Sequence, residues 1–249
     1  MLKSITQAVS LIKKLQKSSK INCYASTGAG ISKGSGIPTF RGEDGLWEKY
    51  DVMEIASRES WIKNPEKLWK LYQEGFPQIL VAKPNEAHKA IAKLESKNYV
   101  HTIITQNVDS LHQKAGSKNV IELHGNLTKV RCFQCNKTQD LAIALRTIPP
   151  KCSCGGMMRP DAIMYNDPMP EKAMNSALKT ARKANLVLVI GTSAEVYPAA
   201  GLPIISKKNN AKMIVFNPEE TEHVQIADVF VQGKCEETLP IFVERLLKE

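Results

Sequence analysis

The chain has no acidic residue before Glu43, no apolar run long enough to cross a membrane, no internal repeat and no low-complexity tract. A spanning helix needs about 20 consecutive apolar residues, so a membrane-embedded protein is not expected. The acid-free, serine-containing start resembles a transit peptide. Against that, Ile5, Val9, Ile12 and Leu15 form a helical apolar stripe, and a first strand begins by Lys20 or Ile21. The segment is therefore expected to belong to the fold rather than to a leader, and the chain to be cytoplasmic. Arginine-rich blocks and basic strips interleaved with aromatics are also missing. The net charge of +9 would suit nucleic acid or a phosphate-bearing ligand. Because the lysines are scattered along the chain, they read as a solvated surface, and direct nucleic-acid binding is not expected.

What is present fits a globular α/β protein. The 249 residues are 43% apolar, enough for one large domain or a large and a small one. Apolar runs at 21–25, 102–105, 120–123, 186–191, 213–217 and 228–232 alternate with helical patterns at 85–96, 170–184, 199–207 and 238–248. Short buried strands alternating with helices predict a parallel sheet covered on both faces. Ligands of such sheets sit at the carboxyl ends of the strands. Two segments break the rhythm. Residues 43–84 hold Trp47, Trp61 and Trp69 in helix-compatible surroundings, and residues 126–160 hold a cysteine cluster.

The first strand runs into Gly28-Ala29-Gly30-Ile31-Ser32 and on to Gly42. The dinucleotide fingerprint G-x-G-x-x-G needs glycine at 33, where the chain has Lys33; Gly34 is one place late. Glycines still let backbone N–H groups approach a phosphate. Pro38, Phe40 and Arg41 predict an ordered loop closing over a ligand instead of an immediate long helix.

Four of the six cysteines form Cys132-x-x-Cys135 and Cys152-x-Cys154. Two such hairpins can set four thiolates tetrahedrally around zinc, and a four-thiolate site has no open position for water, so its role is structural. Two disulfides are disfavoured in an intracellular protein. Cys23 reads as a buried small hydrophobe. Cys235, at a strand end, reads equally as a ligand contact or as core.

Polar residues recur just past the strands. Gln106, Asn107 and Asp109 are poor strand formers; they suit ribose or amide contacts, or a helix cap by Asp109. His124, followed by Gly125, is placed to shuttle a proton near neutral pH. His88, His101, His112 and His223 read as structural. Gly191, Thr192, Ser193 and Asn217 add hydroxyls and an amide at two further strand ends. Together they predict a nucleotide site.

The set Gly28–Gly42, Gln106-Asn107-x-Asp109, His124-Gly125, the four cysteines, Arg159-Pro160 and Gly191-Thr192-Ser193 resembles the sirtuins, the NAD-dependent protein deacylases, in the right order over nearly the whole chain. The resemblance implies a Rossmann-like NAD-binding domain (1–42, 85–125 and 160–249). It also implies a small domain made of the helical insertion (43–84) and the zinc module (126–159). NAD would be consumed as co-substrate, one Zn2+ would be structural, and the protein substrates would carry acetyl-lysine, histone-like or nucleoid proteins among them. Ala29, Gly30, Ile37, Phe40 and Arg41 match the family's NAD loop. Gln106 and Asn107 would hold the nicotinamide ribose and a water, and Val108 and Asp109 the carboxamide. Thr192, Ser193, Asn217 and Cys235 would line the phosphate and adenosine side. His124 would be the general base.

Departures from the family are informative. Thr39 stands where Asp is frequent. The segment lining the acyl-lysine tunnel reads Arg159-Pro160-Asp161-Ala162-Ile163-Met164-Tyr165, with Ala162 in place of a larger aliphatic and Tyr165 in place of Phe. This would leave room for longer acyl chains, each buried CH₂ contributing about 0.8 kcal/mol. Tyr72 is followed by Gln73-Glu74-Gly75, without the arginine that pairs a succinyl or malonyl carboxylate in one branch. The expectation is deacetylation, or removal of longer neutral acyl groups, over desuccinylation. Competing readings are mono-ADP-ribosyl transfer, a zinc-ribbon nucleic-acid-binding protein, and a dehydrogenase. The last also lacks the acidic residue expected at its second strand.

Overall fold

The computed structural model describes residues 1–39, 51–144 and 146–248. Six strands form one parallel sheet: β1 (Cys23–Thr27), β2 (Thr102–Thr105), β3 (Val120–Glu122), β7 (Leu186–Ile190), β8 (Lys212–Asn217) and β9 (Val229–Gln232). Their order is β3-β2-β1-β7-β8-β9, the doubly wound order of dinucleotide-binding proteins, with the switch point between β1 and β7.

Alternation builds the two layers. Cys23 and Ala25 of β1, with Leu186, Leu188 and Ile190 of β7, face one side. There they meet Ile5, Val9 and Ile12 of helix Leu2–Ser18, Ile91 and Leu94 of helix Glu86–Ser96, and Leu239 and Phe242 of helix Cys235–Lys248. Tyr24, Val187, Val189, Met213 and Val215 face the other side, against Ala177 and Ala181 of helix Glu171–Lys183 and Leu202 of helix Gly201–Lys208. The Tyr24 hydroxyl is not orphaned: it lies 3.0 Å from Ser206 Oγ. The N-terminal segment is thus a core helix, as its stripe predicts. Strand β1 starts at Cys23 rather than at residue 20 or 21, and the last helix starts at Cys235 rather than at 238.

A second sheet of order β5-β4-β6 is antiparallel: β4 (Gly125–Cys132), β5 (Thr138–Asp140) and β6 (Met158–Ala162). Its apolar face shares one cluster with Trp61, Leu68 and Trp69 of the helical insertion and with the zinc-type residues Cys132 and Cys152. The insertion contains helices Val52–Ala56, Arg58–Lys63 and Pro65–Val81. Asp51 caps the first through Met53 N and Glu54 N, and Ser57 caps the second through Ser60 N. Strand β6 runs through residue 160, so the chain re-enters the large sheet after crossing the small one.

Candidate active site and zinc centre

The β1 and β7 ends touch at the switch point. Gly28 N donates to Ile190 O, and Gly30 N donates to Gly191 O at 2.8 Å. Gly191 has φ +59°, and a Cβ there would stand 2.4 Å from Ile31 N. Only glycine fits. Gly191→Ala is therefore expected to part the two loops and, for the NAD that the family resemblance implies, to raise the KM by at least about tenfold, since one clashing backbone contact disturbs the turn. Unchanged NAD saturation kinetics would contradict this. The chain then turns through a short 3-10 helix, Ala29–Ser35, rather than a long α-helix.

Beyond that contact opens a cleft of about 950 Å³. The nucleotide side is lined by Gly28, Ala29, Gly30, Gln106, Asn107 and Val108, and further along by Gly191, Thr192, Ser193, Asn217 and Cys235. His124 lies among them. Ala162, at the end of β6, and Ile163 and Tyr165 just past it line the cleft, with Ala56 and Tyr72 from the insertion. Two of the expected residues lie elsewhere. Ile37 packs with Ala82 and Leu111 in a small buried cluster. Asp109 stands behind the cleft, where Oδ2 accepts from Ser32 Oγ at 2.7 Å and Oδ1 from Leu111 N at 2.8 Å. Phe40 and Arg41 fall outside the described residues.

His124 sits in the turn between β3 and β4, and the backbone on either side is held in place. Leu123 N donates to Thr105 O, His124 Nδ1 donates to Gln106 O at 3.1 Å, and Leu127 N donates to Val108 O at 2.7 Å. A carbonyl accepts only, so Nδ1 carries the proton and Nε2 of the neutral ring is the basic nitrogen. Burial lowers the imidazole pKa below the ordinary histidine value, the Gln106 bond opposing in part. Gly125, at φ +80°, lets β4 turn away at once; a Cβ there would stand 2.1 Å from Asp161 O.

Behind Asn107 lies a buried polar network that the sequence does not announce. Asn107 Nδ2 donates to Gly28 O at 3.0 Å and to Ser32 Oγ at 3.1 Å. His88 Nε2 is 3.4 Å from the same Ser32 Oγ, and His112 Nε2 is 2.9 Å from Thr27 Oγ1. Desolvation pulls His88 down to about 4 and His112 to about 3, so both rings are neutral at physiological pH. Burial raises the Asp109 carboxyl. Nothing in local sequence distinguishes Ser32 from a loop serine; its importance comes from the return of residues 85–112 to the same edge.

The substrate-side segment is pinned from within. Arg159 Nη1 pairs with Asp167 Oδ2 at 2.6 Å and donates to Ala162 O at 3.1 Å. Tyr165 N donates to Ala56 O and Arg58 N to Tyr165 O, tying the segment to the insertion. The cleft thus runs between the large sheet and the second unit.

The four candidate zinc cysteines converge. Their Sγ atoms all lie within 4.8 Å of one another. Cys132–Cys154 and Cys135–Cys152 are 3.6 Å apart, and Cys135–Cys154 3.5 Å. Zn–S bonds of about 2.3 Å in a tetrahedron place sulfurs about 3.8 Å apart, so the set fits a structural zinc, and none of the four is in a disulfide. Cys23 is fully buried, as its strand position predicts. Cys235 is almost fully buried although it borders the cleft, and burial pushes its thiol up to about 12.

Fold and site together define a nucleotide-binding α/β protein with a polar, histidine-bearing cleft and a separate four-thiolate centre. The chain belongs to the Sir2 family, whose model matches residues 28–198. It is 45% identical to an NAD-dependent protein deacylase of Pyrococcus abyssi over 90% of this chain and 93% of that protein. It is 48% identical to an NAD-dependent protein deacetylase of Sulfurisphaera tokodaii, covering 88% and 89%. Among solved structures, a Sir2 homologue in complex with NAD superposes with a TM-score of 0.85 at 43% identity, over 91% of this chain and 89% of that one. A Sir2–p53 peptide–NAD+ complex does so with 0.84 at 34%, over 97% and 96%.

Proposed function

We propose that this chain is an NAD-dependent protein lysine deacetylase that releases free lysine, nicotinamide and O-acetyl-ADP-ribose. The observation carrying this reading is the convergence, in one cleft, of the β1–β7 glycine contact, Gln106 and Asn107, and a neutral His124 whose Nε2 is the base. NAD, when bound, supplies an activated ADP-ribosyl group and is consumed. The glycine contact holds two side-chain-free backbone segments together and leaves space for its phosphates, the N–H groups of Gly28 and Gly30 being spent on the contact itself and that of Gly191 on Phe216 O, with Thr192, Ser193, Asn217 and Cys235 bordering the adenosine side. Gln106 and Asn107 orient the ribose, Asn107 being locked by Gly28 O and Ser32. Val108 lines the carboxamide end, and Asp109 acts from behind it by accepting from Ser32 Oγ and Leu111 N. His124 Nε2 takes a proton from a ribose hydroxyl. Ile37 backs the site from its buried cluster with Ala82 and Leu111 rather than lining it, and Phe40 and Arg41 keep the NAD-contacting roles that the family resemblance implies.

The large-sheet unit, expected at 1–42, 85–125 and 160–249, is the NAD-binding domain, although Gly125 and residues 160–162 pair within the second sheet. The insertion (43–84) and zinc module (126–159) form the small domain, and an acyl-lysine peptide enters between them against Ala162, Ile163 and Tyr165. No described helix is long and apolar enough to cross a membrane. A cytoplasmic location accords with the free thiols. Histone-like or nucleoid proteins are the substrates we infer.

The acyl preference follows from the lining. The insertion contributes Ala56 and Tyr72 to the cleft, and neither carries a cation for a carboxylate tail. On one peptide carrying acetyl, butyryl, myristoyl or succinyl groups, kcat/KM for acetyl is expected to exceed that for succinyl by at least about tenfold, the worth of one charge-assisted pair. Succinyl as the best substrate would overturn the assignment.

A further inference from the structure

The lysines that look scattered along the chain are collected by the topology. In a parallel sheet every crossover helix ends where the next strand begins, so the helix C-termini share one edge, opposite the cleft. Lys17 and Lys20 close the first helix, and Lys93 and Lys97 close helix Glu86–Ser96. Arg182 and Lys183 end helix Glu171–Lys183, and Lys207 and Lys208 end helix Gly201–Lys208. The ends are physically joined. Asn22 Nδ2 donates to Lys183 O at 2.9 Å, Asn185 Nδ2 donates to Lys20 O at 2.9 Å, and Lys212 N donates to Asn185 O.

Helix dipoles account for part of this charge only. A C-terminus carries about half a negative charge, whereas each of these ends has two cations. Carboxylates nearby are already engaged. Asp228 is shared by Lys207 at 2.8 Å and Lys212 at 2.9 Å. Glu95 accepts from Lys118 N and Asn119 N. Glu244 is bonded to Lys248. Lys17, Lys20, Lys97, Arg182, Lys183 and Lys208 are exposed and make no ion pair among the described residues. By contrast Glu195, Glu219, Glu220 and Glu236 border the cleft.

We propose that this basic edge docks on the phosphate backbone of duplex DNA. Six strands about 4.8 Å apart make a row of about 24 Å, well beyond a Debye length of about 8–10 Å. A duplex presents one charge per about 1.7 Å of axis along such a row. Among the described residues the edge offers no exposed aromatic ring for stacking single-stranded bases, which favours a duplex over a single strand. Among the described exposed large apolar residues, Ile226 alone lies just before a strand of the large sheet, too little for membrane insertion. Docked by its back, the protein holds its cleft outward, towards proteins bound to the same DNA. The inference rests on fold and charge, not on the proposed reaction.

The test is fluorescence anisotropy with a labelled duplex of about 30 base pairs across a salt series. Binding should weaken steeply with salt. Lys17→Glu/Lys20→Glu/Lys183→Glu should weaken it at least about tenfold, more than loss of a few phosphate contacts at other sites would, with deacetylation of a free peptide and Tm unchanged. A charge-matched control, Lys63→Glu/Lys70→Glu/Lys151→Glu, lies on the other unit and should change binding by less than about threefold. Equal losses in both variants would overturn the proposal, as would no binding at low salt. Tighter binding to phosphatidylserine vesicles than to the duplex would overturn it too.

Discussion

His124→Ala is expected to lower kcat/KM for an acetyl-lysine peptide by about a hundredfold to ten-thousandfold, the usual contribution of a positioned general base. The fold should survive, because the ring makes one backbone hydrogen bond, to Gln106 O, while Leu123 and Leu127 keep the strand in register. The pH dependence has a definite sign. Nε2 is a base only while the ring is neutral, and burial has lowered its pKa. Activity therefore falls as pH drops through that lowered value, and the acid limb of kcat/KM lies below the ordinary histidine value of 6.5. Circular dichroism and a pH series on the wild type check both parts. A variant that is folded and active, or an acid limb well above 6.5, would remove His124 from the role given to it.

The second large effect concerns zinc. Cys132 and Cys152 are buried in the cluster that includes Trp61, Trp69 and Met158, so the metal staples the core shared by the module and the insertion. Structural zinc is worth about 10–16 kcal/mol in small zinc peptides, and at this chain length 1 kcal/mol shifts Tm by about 2–4 °C. Chelation, or Cys132→Ser, is expected to lower the Tm by on the order of 20 °C and to abolish activity with it. The large sheet does not depend on those thiols, so strand signal should persist in part. Elemental analysis showing no zinc, or a Tm unmoved by chelation, would contradict the assignment.

Much of this was legible in the sequence for identifiable reasons. Strands β2 and β7 announce themselves because both of their faces are buried, so Leu186–Ile190 reads as an unbroken apolar run and Thr102–Thr105 as a β-branched one. Helix ends were legible where a cap marks them, as Asn85 does by accepting from Ala87 N and His88 N. The cysteines were legible because metal geometry fixes their spacing. Strand β1 starts two or three residues later than the apolar run suggests because Ile21 is apolar and buried yet lies outside the ladder. Gly34, one place late for the dinucleotide fingerprint, lies in a 3-10 helix, close against Glu236. Least legible was the network of Ser32, His88 and His112 behind Asn107. Its members are far apart in sequence and meet only because β1 and β2 are neighbours in the sheet. The basic edge escaped for the same reason: helix ends distant in the chain become adjacent only once the order of strands is known.

The most direct measurement is mass spectrometry of the products after incubation with NAD and an acetyl-lysine peptide. The account predicts deacetylated peptide, nicotinamide and O-acetyl-ADP-ribose in equal amounts, all absent when the peptide carries unmodified lysine. Nicotinamide release that continues without acetyl-lysine, with ADP-ribose attached to protein, would contradict it.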